Sequence, residues 1–122
     1  MNKRTVLLAD DDLGLRRLVG ATLGSEHFHL LSASDGEETL AMARELRPSL
    51  ILLDINMPRK NGLEVCRLLK ADPITSGIKI VMLTASGSES DRTRAFEADA
   101  DDYFVKPFSP IALLDKVYAL LG

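Results

Sequence analysis

Tryptophan is absent from the 122 residues, cysteine occurs once, and no apolar stretch comes near the ~18 residues that a membrane-spanning helix needs. The lone thiol, Cys66, has no partner within the chain, which excludes a disulfide scaffold and fits a reducing compartment. Residues Met1 to Arg4 lead into the short apolar run Thr5–Ala9, too brief for a signal peptide. The expected location is therefore the cytoplasm, with no membrane partner. A basic stripe is missing as well. The 15 Lys and Arg residues are scattered against 18 Asp and Glu, for a net charge of −3, so direct nucleic-acid binding by this domain is not expected. There is no repeat, low-complexity tract or linker, and residues 1–122 read as a single domain. With 46% hydrophobic and 27% charged residues, wholesale disorder is excluded. A chain of this size buries about two-thirds of its unfolded surface and needs neither disulfide nor structural metal to fold.

What the sequence does contain is an alternation. The runs Thr5–Ala9, Phe28–Ser32, Leu50–Leu53, Ile78–Leu83 and Tyr103–Val105 are short and rich in leucine or β-branched residues, as strands of a buried parallel sheet are. Between them lie amphipathic stretches with helix punctuation. Leu15, Leu18, Val19, Thr22 and Leu23 recur at helical spacing and end near Gly24. Asp35 and Glu38 form a capping box. Leu63–Ala71 is closed by Asp72-Pro73, a helix runs from about Ser88 to Ala98, and Ser109-Pro110 opens the last one. The expected fold class is α/β: a (βα)5 doubly wound parallel sheet of five strands with helices on both faces. Ligands of such sheets bind beyond the carboxyl ends of the strands, so the strand ends are where chemistry is sought.

Those ends carry charge. The first strand runs into Asp10, Asp11 and Asp12, the third into Asp54-Ile55-Asn56, the fourth into Thr84-Ala85-Ser86 and the fifth into Lys106-Pro107. Adjacent carboxylates repel by about 4 kcal/mol at roughly 4 Å and an effective dielectric of 20. Lys106 or a hard divalent cation must compensate, and a few Asp side chains suit Mg²⁺, or Mn²⁺, better than a Ca²⁺ cage. An aspartate beside such a cation can attack a phosphoryl group to give an acyl phosphate. The transferred oxygens are then neutralised by metal, ammonium and hydroxyl. Asp54, Lys106 and Thr84 supply those groups. Singly, each has an ordinary explanation: a turn threonine, a solvated lysine, an aspartate capping a helix. Together they end different strands of one sheet. A second acid cluster, Asp99 to Asp102, reads as readily as a solvated loop.

Leu8-Ala-Asp-Asp-Asp12, Leu53-Asp-Ile-Asn-Met-Pro58 with Gly62, Leu83-Thr-Ala85 and Asp102-Tyr-Phe-Val-Lys-Pro-Phe108 resemble, in order and spacing, the receiver domain of two-component response regulators. The likeness runs from about Arg4 to Leu121. It implies the flavodoxin-like strand order 2-1-3-4-5. It also implies a phosphorylation-activated switch that takes a phosphoryl group from the phosphohistidine of a partner histidine kinase or phosphotransfer protein. By the same resemblance Asp54 is the phospho-acceptor. Asp11, Asp54 and the backbone carbonyl of Asn56 hold Mg²⁺, and Asp10 holds it through water. Thr84 and Lys106 contact the phosphoryl oxygens, Tyr103 is the switch aromatic, and Lys106-Pro107 is cis. Asn56 and Ser86 flank the phosphate and influence its loss to water. The output face is expected over the fourth helix, fifth strand and fifth helix, its downstream effector or fused output domain unspecified.

Three features depart from that pattern. Asp99 occupies a position where the family commonly has glycine in a left-handed conformation. Ile111 and Ala112 replace charged residues common in the transcription-factor branch, so a monomer or weak dimer is expected. The chain closes with its fifth helix, as a stand-alone receiver or as part of a longer regulator. Asp12 is expected to be a helix cap, His27 and His29 surface residues, and Cys66 a packing residue. The competing activity is a Mg²⁺-dependent aspartyl-phosphate phosphatase, which wants an acid two residues after its nucleophile, where this chain has Asn56. A flavin-binding module is disfavoured because Asp10-Asp11-Asp12 would repel a phosphate.

Overall fold

Alternation of side chains across a strand lets one apolar run serve two cores, and the computed structural model shows this arrangement. It describes residues 4–23, 28–57, 61–85, 87–106 and 108–121. The strands are β1 (Arg4–Ala9), β2 (Phe28–Ala33), β3 (Leu50–Asp54), β4 (Lys79–Thr84) and β5 (Asp102–Val105). The helices are α1 (Leu13–Leu23), α2 (Gly36–Leu46), α3 (Gly62–Ala71), α4 (Glu89–Glu97) and α5 (Pro110–Leu121). All strand pairs are parallel and their order is β2-β1-β3-β4-β5, the expected doubly wound topology.

On one face Leu7, Ile51, Leu53, Ile80 and Met82 pack with Ala43 of α2, Leu63, Cys66 and Leu69 of α3, and Ala95 of α4. On the other, Val6, Leu8, Leu50, Leu52, Val81 and Leu83 meet Val19 and Leu23 of α1 and Leu113 and Val117 of α5. Each large aliphatic residue buried here contributes about 1.5–3 kcal/mol. The three central strands therefore read as unbroken apolar runs, while β5, at an edge, is only half-buried. No helix among the described residues is long and apolar enough to cross a membrane.

Helix starts follow the caps. Asp12 Oδ1 accepts from the N–H groups of Gly14 at 2.8 Å and Leu15 at 3.3 Å. Asn61, Ser88 and Ser109 accept from Glu64, Asp91 and Ala112. The box at α2 is closed differently from expectation. Asp35 accepts from the Glu38 N–H, but Glu38 Oε1 reaches back to the N–H of Ser34, one residue earlier.

The acid cluster before β5 is not a solvated loop. Asp101 Oδ2 accepts from Lys70 Nζ at 2.9 Å and from the Ile80 N–H at 2.8 Å, and Asp102 pairs with Lys116 at 2.7 Å. These bonds tie α3, β4 and α5 to the start of β5. Asp99 is left-handed, with φ of 67°, as its place in the family pattern suggested. Of the histidines, His29 is exposed. Gly24, His27, Pro58, Ser86 and Pro107 lie outside the described residues, and with them the expected Lys106-Pro107 cis bond and the Ser86 role.

Candidate functional site

Parallel pairing sets the strand ends side by side: Ala9 lies opposite Leu53, Asp54 opposite Leu83, and Thr84 opposite Val105. Asp10 follows β1, Asp54 ends β3, Thr84 ends β4, and Lys106 follows β5, its N–H donating to the Thr84 carbonyl at 2.7 Å. Neighbouring strands are only about 4.8 Å apart, so the four side chains share one rim.

Lys106 Nζ stands 2.7 Å from Asp10 Oδ2 and 3.6 Å from Asp54 Oδ2. Asp10 is 1% exposed and Asp54 7%, whereas Asp11 is exposed. One oxygen from each of Asp10, Asp11 and Asp54 lies within 4.8 Å of the others. Two carboxylate oxygens are held by backbone: Asp10 Oδ1 accepts from the Asp12 N–H at 2.9 Å, and Asp54 Oδ1 from the Asn56 N–H at 3.1 Å.

Burial, followed by the charge of Asp10, raises the Asp54 pKa above its ordinary value, and the Asn56 N–H and Lys106 offset this only in part. Burial works against the charged form of Lys106, but the hydrogen bond and charge of Asp10, with a smaller contribution from Asp54, leave its pKa raised. The site thus holds one ammonium against a surplus of carboxylate. Such a cleft suits a hard divalent cation: Mg²⁺ binds oxygens at about 2.0–2.1 Å, so its ligand oxygens lie roughly 3–4 Å apart, a separation that the 4.8 Å limit on this cluster accommodates. The donor set is all oxygen, which favours Mg²⁺ or Mn²⁺ over softer metals.

Gly62 makes this packing possible. A Cβ there would fall 2.1 Å from the Asp54 carbonyl oxygen and 2.9 Å from Ile55 Cα, so only glycine lets the start of α3 lie against the end of β3. The Gly62 N–H donates to the Ile55 carbonyl at 2.7 Å, closing the loop over Asn56, which is exposed.

Thr84 is buried, and its hydroxyl lies 3.4 Å from Asp91 Oδ2 of α4. Tyr103 is half-buried against the same helix. Its ring meets Phe96 edge-on at 6.1 Å, and the Arg92 guanidinium lies over it at 5.4 Å. Both expected switch side chains therefore touch α4. Sequence reasoning missed Asp91 and Arg92, and also Arg16, whose guanidinium reaches the Asp10 carbonyl. The only hint for Arg16 was its place four residues after the α1 cap.

The sequence matches the response regulator receiver domain family over residues 6–118. The chain belongs to that family. Among relatives of this receiver domain, the DNA-binding response regulator MtrA of Mycolicibacterium paratuberculosis is 43% identical over 98% of this chain and 52% of its own length. The transcriptional regulatory protein ResD of Bacillus subtilis is 42% identical over 98% and 49%. The chemotaxis response regulator CheY4 of Vibrio cholerae has the same fold, with a TM-score of 0.92 at 31% identity, covering 98% of this chain and all of that one. Receiver domains are signalling domains, and this one carries the flavodoxin-like topology of its neighbours.

The names of these relatives correct the partner expectation. Net charge and scattered bases pointed away from direct nucleic-acid binding by this domain. Yet the receiver domain matches proteins described as DNA-binding and transcriptional regulators. It spans about half the length of those relatives. Charge patterning of this chain could not speak for the half of those relatives that it does not match.

Proposed function

We propose that this receiver domain, residues 1–122, is a cytoplasmic phosphorylation switch whose phospho-acceptor is Asp54. The single observation that carries this reading is the placement of Lys106 Nζ, 2.7 Å from Asp10 and 3.6 Å from Asp54, beside the Asp10–Asp11–Asp54 oxygen cluster. A carboxylate oxygen of Asp54 attacks the phosphorus of a phosphohistidine on a partner kinase or phosphotransfer protein. The new O–P bond forms as the P–N bond breaks, and the imidazole nitrogen keeps the electron pair. A divalent cation held by Asp11, Asp54 and the Asn56 carbonyl, with Asp10 engaged through water, would neutralise charge on the phosphoryl oxygens. Lys106 is within reach of the same oxygens as a point charge, and its raised pKa keeps it protonated. Thr84 supplies the hydroxyl.

Phosphorylation adds a charge of roughly −1.5 to −2. Movement of Thr84 toward that charge would draw it from Asp91 and open space beside Tyr103, which α4 holds through Phe96 and Arg92. The output face is then α4, β5 and α5. In the phosphatase reading, the position two residues after Asp54 needs a proton donor for the leaving group. The amide of Asn56 cannot serve, so the switch is favoured. The buried free thiol of Cys66 fits the cytoplasm.

The deciding measurement is intact mass after incubation with Mg²⁺ and acetyl phosphate. The parent chain should gain one phosphoryl group, and Asp54→Asn should gain none. Labelling that persists in Asp54→Asn would refute the assignment of the acceptor.

A further inference from the structure

The carboxylate cleft stands on the turn from Asp10 to Asp12, and that turn is gripped from outside by a side chain the proposed chemistry does not use. Arg16, half-buried on α1, donates from Nε to the Asp10 carbonyl at 2.9 Å and from Nη2 to Ser34 Oγ at 2.7 Å. Ser34 is itself fixed by its N–H to Glu38 Oε1 at 2.6 Å, and the Asp10 N–H donates to the Ala33 carbonyl at 3.2 Å. The guanidinium therefore ties the loop after β1 to the loop after β2. A planar fork with fixed donor directions does this, whereas a single-point ammonium would not. Asp10 is then held at its N–H, at its carbonyl, and at both carboxylate oxygens by the Asp12 N–H and Lys106. Asp11 follows directly on that immobilised backbone.

We infer that Arg16 is a positioning residue for divalent-cation binding: through the Asp10 carbonyl and Ser34 it holds the Asp10–Asp12 turn so that the carboxylates of Asp10 and Asp11 face Asp54. This rests on the reading of the cleft as a cation site. Coulomb's law gives the opposite sign for a mere neighbour. A positive charge beside the cleft repels a cation, so removing it should tighten binding. Loss of a residue that orients ligands should weaken binding, and such residues are commonly worth about ten-fold or more.

The test is titration of the metal-free chain with Mn²⁺, following free aqueous Mn²⁺ by electron paramagnetic resonance, with urea unfolding as a control for folding. Arg16→Gln should weaken Mn²⁺ binding about ten-fold. Arg16→Lys, which keeps the charge but not the fork, should also weaken it, by a smaller factor. Ser34→Ala removes one arm without changing charge and should cost roughly two-fold. Binding by Arg16→Gln that equals or exceeds that of the parent overturns the proposal. If that variant does not fold, unchanged binding in both Arg16→Lys and Ser34→Ala overturns it. Asp11→Ala separates the two levels of inference. If it binds Mn²⁺ as the parent does, the cleft is not the cation site and the reading beneath the proposal fails. If it loses binding while Arg16→Gln keeps it, only the role of Arg16 fails.

Discussion

Lys106 Nζ lies 2.7 Å from Asp10 Oδ2, joining residues 96 positions apart in sequence. Asp10 is 1% exposed, so this ammonium is what makes its charge tolerable inside the rim. Removing one partner of a fully buried pair costs about 3–5 kcal/mol, and the 24% exposure of the Lys106 side chain lowers that to roughly 2 kcal/mol. Lys106→Met should lose this amount in urea unfolding at neutral pH without metal. Saturating Mg²⁺ should restore part of it, because a bound cation supplies the missing charge. The pair also sets a pH limit. The folded pKa of Lys106 is raised, so its contribution is fully present below the ordinary value of 10.5 and is lost as pH rises through the raised one. The gap between parent and variant should shrink in that alkaline range. A variant as stable as the parent at pH 7 would show that the pair contributes nothing.

Asp54 has the opposite relationship to stability. Burial and the nearby Asp10 charge raise its pKa, so its ionised form is held in the fold at a cost. That penalty is absent below the ordinary value of 3.8 and grows as pH rises through the raised folded value. Asp54→Asn keeps the shape and removes the charge. It should be more stable than the parent at pH 7 without metal by roughly 1 kcal/mol, a usual size for a stabilising substitution at a functional site. The difference should narrow as pH falls from 7 toward 4. Chemical denaturation at both ends of that range checks it, and a variant less stable than the parent at pH 7 contradicts the charge argument.

How much of this was legible in sequence depended on the kind of signal. Strands such as Leu50–Leu53 are unbroken apolar runs because both faces are covered, and a run of that sort is visible without coordinates. The convergence of Asp10, Asp54, Thr84 and Lys106 followed from one topological rule about strand ends. Asp101 was not legible. Its partners, Lys70 and the Ile80 N–H, come from α3 and β4, and no local spacing announces such a meeting. Arg16, Asp91 and Arg92 were hidden for a related reason. Their contacts depend on the rotation of α1 and α4 about their axes and on long side chains, which periodicity does not resolve. The partner expectation failed differently, because the DNA-binding and transcriptional names belong to relatives of which this chain matches only about half.

Asp99 is left-handed, with φ of 67°, just after α4. An L-residue there carries strain of about 1 kcal/mol that glycine does not. Asp99→Gly should therefore gain stability, less a small loss from the greater freedom of the unfolded chain. A midpoint raised by a few degrees in thermal unfolding is the expected result. A lower midpoint would mean that the Asp99 side chain contributes more than its backbone costs.

Cys66 sits in α3, buried, with its Sγ 3.2 Å from the Ala98 carbonyl. Burial is the main cause that pushes its pKa up to about 12, from an ordinary 9.0. Between pH 7 and 9 an ordinary exposed thiol gains thiolate steeply and its alkylation accelerates with it. Cys66 has almost no thiolate in that range and no path for a reagent while α3 packs on β3 and β4. Its labelling must wait for the helix to open, and the opened thiol then reacts as a free one, so at any pH the rate should be that of a free thiol scaled down by the opening equilibrium. Reaction with a disulfide reagent at pH 8 should be very slow in the native chain and complete within the mixing time in concentrated urea. Lys106→Met, having lost roughly 2 kcal/mol, should label up to about 30-fold faster than the parent, although residue 106 is remote from α3 in sequence. Labelling of the native parent at a rate near that of the unfolded chain at the same pH would show that the α3 face is open, and the core described on that side of the sheet would be wrong.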